Sequence, residues 1–161
     1  MNPDSAIPVP PPACRHGVIA LIAWGDRRDE PLSRQSLLVI RRSARVVAPG
    51  RLCFPGGGVE PGETATAALV REICEECGIR CVPSTKFAES VTPWKVRLEW
   101  WTASIAHDAV PIPNPMEIAE IIAMTPTELS ESPDTLESNR EILQRIINCE
   151  FDSLVGIIAE P

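Results

Sequence analysis

The hydrophobic pattern predicts strands on both sides of one central helix. Apolar residues run almost unbroken over 17–24, as in a buried strand, and a polar loop is predicted over 25–35. The next strand is predicted over 36–42 and ends in two arginines. Further strands are predicted at 80–82, 86–92 and 95–106. In the last of these, apolar and polar side chains alternate, which predicts one buried and one exposed face; the two sets are Val96, Leu98 and Trp100 against Arg97, Glu99 and Trp101.

The central helix is predicted over 64–77. Its apolar residues recur at helical spacing, and Leu69 and Ile73 lie four apart on one face. Gly78 follows the helix and is predicted to end it, because glycine adopts the left-handed conformation of helix ends at little cost. Its predicted role is therefore structural.

Two more helices are predicted near the end of the chain. Thr125, Pro126 and Glu128 form a capping box with proline at the first helical position, which begins a short helix. Ser132-Pro133 is expected to open the second helix, with one apolar stripe made by Leu136, Leu143 and Ile147. The segment 151–161 is apolar and fits either helix or strand.

Three glutamates crowd the last turn of the central helix. Glu72, Glu75 and Glu76 stand at i, i+3 and i+4 and share one patch of its surface. Like charges at this spacing cost about 0.2–0.5 kcal/mol per pair. The negative helix end adds about 0.3–1 kcal/mol per carboxylate. A hard divalent cation would make the patch favourable, because carboxylate oxygens are its natural ligands. The alternative is a solvated acidic face, the usual meaning of a charge cluster.

The surroundings of these glutamates carry a family signature. The run Gly57-x5-Glu63-x7-Arg71-Glu72-Ile73-x-Glu75-Glu76-x-Gly78-Ile79 resembles the signature of the Nudix hydrolases with every specified position filled. The flanks agree, because 37–42 and 54–57 resemble that family's lead-in strand and loop, and 117–120 its later strand. The resemblance therefore spans roughly residues 17–130. It implies an α/β fold, an α/β/α sandwich around a mixed sheet with the helix over one face.

The resemblance also implies a metal site. It assigns Mg²⁺ or Mn²⁺ to Glu72, Glu75 and Glu76 and to the carbonyl of Gly56, with one of these glutamates or Glu120 as general base. Glu120 is favoured slightly over Glu117 as the additional acidic residue, and a surface position is open for either.

Other positions would support this centre. By resemblance Gly57 is structural, Glu63 is a buried supporting carboxylate, and Arg71 orients Glu63 or its neighbours. The alternative for Arg71 is a surface ion pair, worth about 0–1 kcal/mol. Arg42 and Arg51 are candidates for phosphate binding, because guanidinium groups pair bidentately with such oxygens.

Trp94 is the candidate for stacking on a nucleobase. The alternative is a place in the hydrophobic core, since aromatic side chains dominate burial.

The function implied is hydrolysis of the diphosphate linkage in a nucleoside diphosphate joined to another group. Parts of the glycine loop loosely resemble the coenzyme A pyrophosphatase branch, and others resemble nucleotide-sanitising and sugar-nucleotide branches. Two other classes stay open, a non-catalytic nucleotide sensor and a metal-dependent isomerase of the same superfamily.

The net charge and the apolar runs limit which partners and which location are expected for the protein. The net charge of −7 argues against binding nucleic acid or a membrane surface, because both need basic patches, but a nucleotide substrate is compatible when a cation bridges the negative charges. The apolar run 18–24 is too short to span a bilayer and no secretory signal is present, so a cytoplasmic protein is expected.

The chain length fits a single domain. Residues 1–13 hold five of the 17 prolines and are expected to form a disordered tail, so 14–161 would be the domain. A homodimer is left open.

The six cysteines are expected to be small buried apolar residues. A zinc site at Cys74, Cys77 and Cys81 is disfavoured because it lacks a fourth ligand at suitable spacing. Disulfides are not expected in a cytoplasmic chain.

Overall fold

The computed structural model describes residues 15–157, so the predicted tail over 1–13 and the last four residues lie outside the described part of the chain. The elements in chain order are β1 (Arg15–Ile22), β2 (Leu37–Arg42), β3 (Leu52–Cys53), β4 (Gly56–Gly58), α1 (Ala65–Cys77), β5 (Cys81–Val91), β6 (Val96–Ile105), β7 (Ile118–Met124), α2 (Pro126–Glu131), α3 (Glu137–Ile147) and a 3₁₀ helix (Asp152–Ile157).

The strands form two sheets. A four-stranded mixed sheet has the order β4-β1-β6-β5, in which β1 and β6 are parallel and the other neighbours antiparallel. A three-stranded antiparallel sheet has the order β3-β2-β7. A bridge between Ala23 and Leu37 joins the end of β1 to the start of β2. The glycine strand β4 is therefore an edge of the mixed sheet.

Helices cover both faces of the strands. Alternate residues of β1 and β2 point into two cores, because successive side chains of a strand face opposite sides. The core under α1 contains Val18, Ala20, Leu38, Leu69 and Ile73. The core on the opposite face contains Leu21, Val39, Leu129, Leu143 and Ile146, which belong to β1, β2, α2 and α3. The expected α/β/α sandwich is confirmed.

Some predicted elements differ in their bounds. The two strands expected at 80–82 and 86–92 are one strand, β5, with register shifts between Pro83 and Ala88. The bulge-like shifts let the chain pass Pro83, which cannot donate to a ladder, without ending the strand. Within the glycine segment, residues 54–58, the residues 56–58 form a strand rather than a loop.

The start of α3 was predicted too early. It begins at Glu137 instead of near Pro133, because Leu52 N donates to Asp134 O and Leu136 N to Leu52 O, so this stretch pairs with β3 first. Its buried residues are accordingly Asn139, Ile142, Leu143 and Ile146, and not the stripe through Ile147.

The exposed polar face predicted for β6 was wrong at Glu99. This carboxylate is buried and accepts hydrogen bonds from His16 Nε2 (3.0 Å), Arg97 Nη2 (2.8 Å) and Trp101 Nε1 (3.1 Å). Both faces of β6 are covered, so its inward polar side chains need partners of their own.

The cysteine expectation was right for three residues. Cys53, Cys77 and Cys81 are buried, and burial raises the pKa of the Cys77 thiol to about 12. Cys74 and Cys149 are exposed, which corrects the prediction for those two, and Cys14 lies outside the described residues. Cys74 follows the buried Ile73 on α1 and therefore faces outward.

No helix within residues 15–157 combines the length and apolar character needed to cross a bilayer.

Candidate active site

Local signals fix both ends of α1 and hence the placement of its glutamates. Thr64 is the N-cap, and its Oγ1 accepts a hydrogen bond from Ala67 N at 3.1 Å. Gly78 ends the helix at φ 64°, a left-handed conformation, and its N–H donates to Cys74 O at 3.0 Å. The following loop satisfies two more end carbonyls, since Ile112 N donates to Cys77 O and Asn114 N to Glu76 O.

The glycine strand lets α1 approach the sheet edge closely. A Cβ on Gly57 would lie 2.3 Å from the carboxyl carbon of Glu72, so Glu72 keeps its place only while residue 57 has no side chain. A Cβ on Gly56 would lie 2.1 Å from the carbonyl oxygen of Val18 on β1, and Gly56 has φ 152°. Glycine is therefore required by the backbone at position 56, and at position 57 it is required for the observed position of Glu72.

Glu76 is the most enclosed carboxylate of the helix. Its side chain reaches back to the glycine strand, where Oε2 accepts the N–H of Gly56 at 3.0 Å. Only 6% of the residue is exposed. Burial raises the pKa of Glu76 to about 8; the Gly56 bond opposes this shift, whereas the charges of Glu72 and Glu117 add to it.

Glu72 lies beside Glu76 in the same environment. Its side chain is 13% exposed and presses against Gly57. Burial raises the pKa of Glu72, the contact with Arg71 counteracts this, and the charges of Glu75 and Glu117 raise it further. The buried Glu76 and the partly buried Glu72 are thus close enough to interact, and the charge of Glu117 acts on both.

Arg71 ties the helix to the loop before it. Its Nε and Nη2 bind the two oxygens of Glu63 at 2.9 and 3.0 Å, and Nη2 also donates to Gly58 O at 2.8 Å. Its Nη1 donates to Glu72 at 2.9 Å and to Glu75 at 3.3 Å. These bonds from one guanidinium exceed what an isolated surface ion pair makes, so that alternative does not describe Arg71.

Glu63 is largely covered by these contacts. The hydrogen bonds from Arg71, followed by one from the N–H of Glu60, hold the pKa of Glu63 below its usual value. The structure thus brings Glu63 and Arg71 together as expected from the sequence, next to Gly57 and Glu72.

Glu75 is the most exposed member of the trio, because its side chain is 51% exposed and its bond to Arg71 is long. With Nη1 of Arg71 between Glu72 and Glu75, no three acidic, histidine or cysteine side chains within residues 15–157 converge closely enough to enclose an ion in this conformation.

The nearby acidic residue is Glu117 instead of the favoured Glu120. Glu117 raises the pKa of both Glu72 and Glu76. Glu120 pairs across the sheet with Arg41, whose Nε lies 3.3 Å from Oε2 of Glu120. The structure does not bring Glu120 to the helix glutamates.

The candidate substrate-binding residues are scattered. Arg42 stands near Glu76, whose pKa its charge lowers, and its Nε donates to Val47 O at 2.6 Å. Arg51 is exposed and donates to Pro133 O. Trp94 is 71% exposed in the turn between β5 and β6, so it does not lie in the core. The structure brings only Arg42 to the site.

One buried polar residue near the site was missed from the sequence. Asn139 lies on α3 with 1% exposed, and its Oδ1 accepts the N–H of Phe54 in the glycine segment at 3.1 Å. Its signal was present, because Asn139, Ile142, Leu143 and Ile146 follow i, i+3, i+4 and i+7, but it was hidden by the wrong helix register.

The fold and this site define a Nudix-type protein, and the family comparison agrees. The chain belongs to the Nudix family, since the family model for the NUDIX domain matches residues 16–146. Solved structures of similar fold include a nudix hydrolase family member from Chromobacterium violaceum, with a TM-score of 0.64, 22% identity and 91% of each chain covered. Another is a NUDIX hydrolase from Nitrosomonas europaea, with a TM-score of 0.66, 20% identity, and 83% of this chain and 70% of that chain covered.

Characterised relatives match only part of the chain. Nudix hydrolase 3 of Caenorhabditis elegans is 42% identical over 62 residues, which cover 38% of this chain and 23% of the relative. The 8-oxo-dGDP phosphatase NUDT18 of Homo sapiens is 41% identical over 54 residues, covering 34% and 17%. The nucleoside triphosphatase NudI of Salmonella arizonae is 47% identical over 53 residues, covering 33% and 34%. The matches thus span between about a sixth and a third of these relatives.

Proposed function

We propose that the protein is a metal-dependent hydrolase that cleaves the diphosphate linkage of a nucleoside diphosphate joined to another group. The observation that carries this proposal is the buried carboxyl group of Glu76 with the partly buried Glu72 beside it, in contact with Gly56 and Gly57 respectively. Buried acids beside one another are expensive for a fold to keep, and such perturbed groups concentrate at functional sites.

The donor set fits a hard divalent cation. Carboxylate oxygens are the ligands that Mg²⁺ and Mn²⁺ prefer. Glu72 and Glu76 supply two of them, and the half-exposed Glu75 can join when it leaves the 3.3 Å bond to Arg71. The carbonyl of Gly56 stays a further candidate. Such a cation, when bound, supplies neutralising charge and Lewis acidity.

The chain's own residues would then act as follows. Arg71 keeps the guanidinium charge beside Glu72 and holds Glu63 and Gly58 in place. Arg42, whose charge acts on Glu76, would pair with a phosphate oxygen. A water oxygen attacks phosphorus, the bond from phosphorus to the bridging oxygen breaks, and a carboxylate takes the water proton. The candidates for that base are the three helix glutamates, Glu72, Glu75 and Glu76, and in addition Glu117, whose charge acts on Glu72 and Glu76.

The substrate class is supported by the relatives. The Salmonella protein is named a nucleoside triphosphatase and the human one an 8-oxo-dGDP phosphatase, so both act on phosphorylated nucleosides. We extend only this class to the present chain. The net charge of −7 fits a small anionic substrate bridged by a cation and disfavours nucleic acid. A cytoplasmic location and a homodimer stay predictions.

A panel of nucleotides and nucleotide derivatives with Mg²⁺, read by mass spectrometry in ¹⁸O-labelled water, tests the proposal. Wild type should release a nucleoside phosphate or phosphate carrying one ¹⁸O, and E76Q should lose this release while E120Q keeps it. The amide oxygen introduced by E76Q can still accept the Gly56 N–H, so the variant should fold. Binding without turnover would identify a sensor, and a product without hydrolysis an isomerase; either outcome would contradict the proposal.

A further inference from the structure

The residues just before α3 extend the edge of the three-stranded sheet. Leu52 N donates to Asp134 O at 3.0 Å and Leu136 N to Leu52 O at 2.8 Å, so the residues before α3 pair with β3 like a short extra strand. At Glu137 the chain turns into the helix, and this backbone pairing ends. The next N–H on the same side of the glycine segment belongs to Phe54.

The side chain of Asn139 takes the place of the lost backbone partner. Its Oδ1 accepts the N–H of Phe54 at 3.1 Å, and both residues are almost fully buried. A buried N–H without a partner is unfavourable, so this side-chain bond fixes where the glycine segment can lie.

The constraint extends to the glutamates. Phe54 is followed by Pro55, whose ring limits backbone rotation and whose carbonyl accepts Ala20 N at 2.9 Å. Gly56 comes next and donates its N–H to Glu76. The glycine segment is therefore held on one side by α3 and on the other by α1, with a stiff residue between the two bonds.

We propose that Asn139 is a positioning residue for the active site: through Phe54 and Pro55 it sets the position of Gly56 against Glu76. The proposal rests on the function proposed above, since it assigns Asn139 to the support of that same metal and phosphate centre. Asn139 itself touches the glycine segment and not the reacting atoms.

The test compares N139L and the smaller N139A with N139D, which keeps an oxygen acceptor for Phe54 N. The matched control is Q35L, because Gln35 is also a buried amide, and its Nε2 donates to Arg28 O in a different loop. Three quantities are measured on the full chain: the melting temperature, the Kd for Mn²⁺ by electron paramagnetic resonance without nucleotide, and the amide resonance of Gly56 in metal-free protein.

N139L and N139A should raise the Mn²⁺ Kd ~10–100-fold, as loss of a supporting partner does, and shift the Gly56 amide resonance. N139D should keep the Mn²⁺ Kd and the Gly56 amide resonance near their wild-type values. Q35L should lower the melting temperature without changing the Kd or the resonance. If Kd and the Gly56 resonance are unchanged in N139A, or if only the nucleotide KM rises, the positioning role is wrong. If wild type binds no Mn²⁺, the proposed function fails instead, and the Gly56 resonance alone decides the role of Asn139.

Discussion

The backbone N–H of Gly56 donates to Oε2 of Glu76 at 3.0 Å, across the gap between the glycine strand and the central helix. The N–H favours the ionised form of the Glu76 carboxyl group, whereas burial disfavours it. Burial has the larger effect and raises the pKa of Glu76 to about 8.

The first prediction concerns pH and stability. The pKa of Glu76 is about 8 in the folded protein against an ordinary value of 4.5, so between these values the folded state binds the extra proton. The metal-free protein should therefore lose stability as pH rises from 4.5 to 8 and level off above that range. E76Q should flatten this dependence and, at pH 9 with EDTA, melt at a higher temperature than wild type. Thermal melts at pH 5 and pH 9 measure the difference; a lower melting temperature for E76Q at pH 9 would contradict the charge argument.

The second prediction uses two adjacent glycines. G57A places a Cβ within 2.3 Å of the Glu72 carboxyl carbon, so Glu72 must move. For G58A no atom within residues 15–157 lies within 4 Å of the added Cβ. Activity and Mn²⁺ affinity should fall ~10–100-fold in G57A, as expected when a ligand is displaced from its support, and should stay near wild type in G58A. Similar values for both variants would show that the approach of Glu72 to the strand is unimportant.

The third prediction concerns the shape of the Arg71 group. Lysine keeps the charge but cannot bind Glu63, Gly58 O and Glu72 together, because it lacks the planar fork. R71K should lower the free energy of unfolding by about 1–3 kcal/mol, in line with lost hydrogen bonds to charged groups, and reduce kcat. R97K is the control, since Arg97 also binds two glutamates, Glu89 and Glu99, but on β6. Denaturant unfolding and initial rates separate the two. Equal losses of kcat in both would speak against a role in the site.

The fourth prediction separates Glu117 from Glu120. The negative charge of Glu117 raises the pKa of Glu72 and Glu76, so it lies close to both. E117Q removes this charge and should weaken Mn²⁺ binding, because the cation is attracted less strongly. It should also stabilise the metal-free protein, because the repulsion among the carboxylates is reduced. E120Q breaks only an exposed pair with Arg41, and its effect on stability should stay within about 1 kcal/mol. Mn²⁺ titration and thermal melts test both variants. The assignment would be reversed if E120Q, and not E117Q, impaired Mn²⁺ binding.

The sequence predicted the central helix and its ends well, because the signals are local. Thr64, the apolar pair Leu69 and Ile73, and Gly78 act within a few residues of one another, and the structure has each in its expected place. The burial of β1 also followed from its apolar run, and β2 was predicted as a strand at the correct place.

What the sequence missed depends on contacts between distant segments. A register shift between Arg41 and Arg42 places Glu120 opposite Arg41 and Ile118 opposite Arg42, and no pattern along the chain announces such a bulge. The pairing of 134–136 with Leu52 delays α3 and hides Asn139. Glu99 is buried because of partners 83 residues away on β1 and beside it on β6.

The central claim is that Glu72, Glu75 and Glu76 together hold a divalent cation against the glycine strand. A Mn²⁺ titration followed by electron paramagnetic resonance, on wild type and on E72Q, E75Q and E76Q, measures it most directly. Saturable binding by wild type and at least about tenfold weaker binding by each variant is the predicted result, since each removes one charged oxygen ligand. Four superimposable titration curves, or no saturable binding by wild type, would contradict the claim.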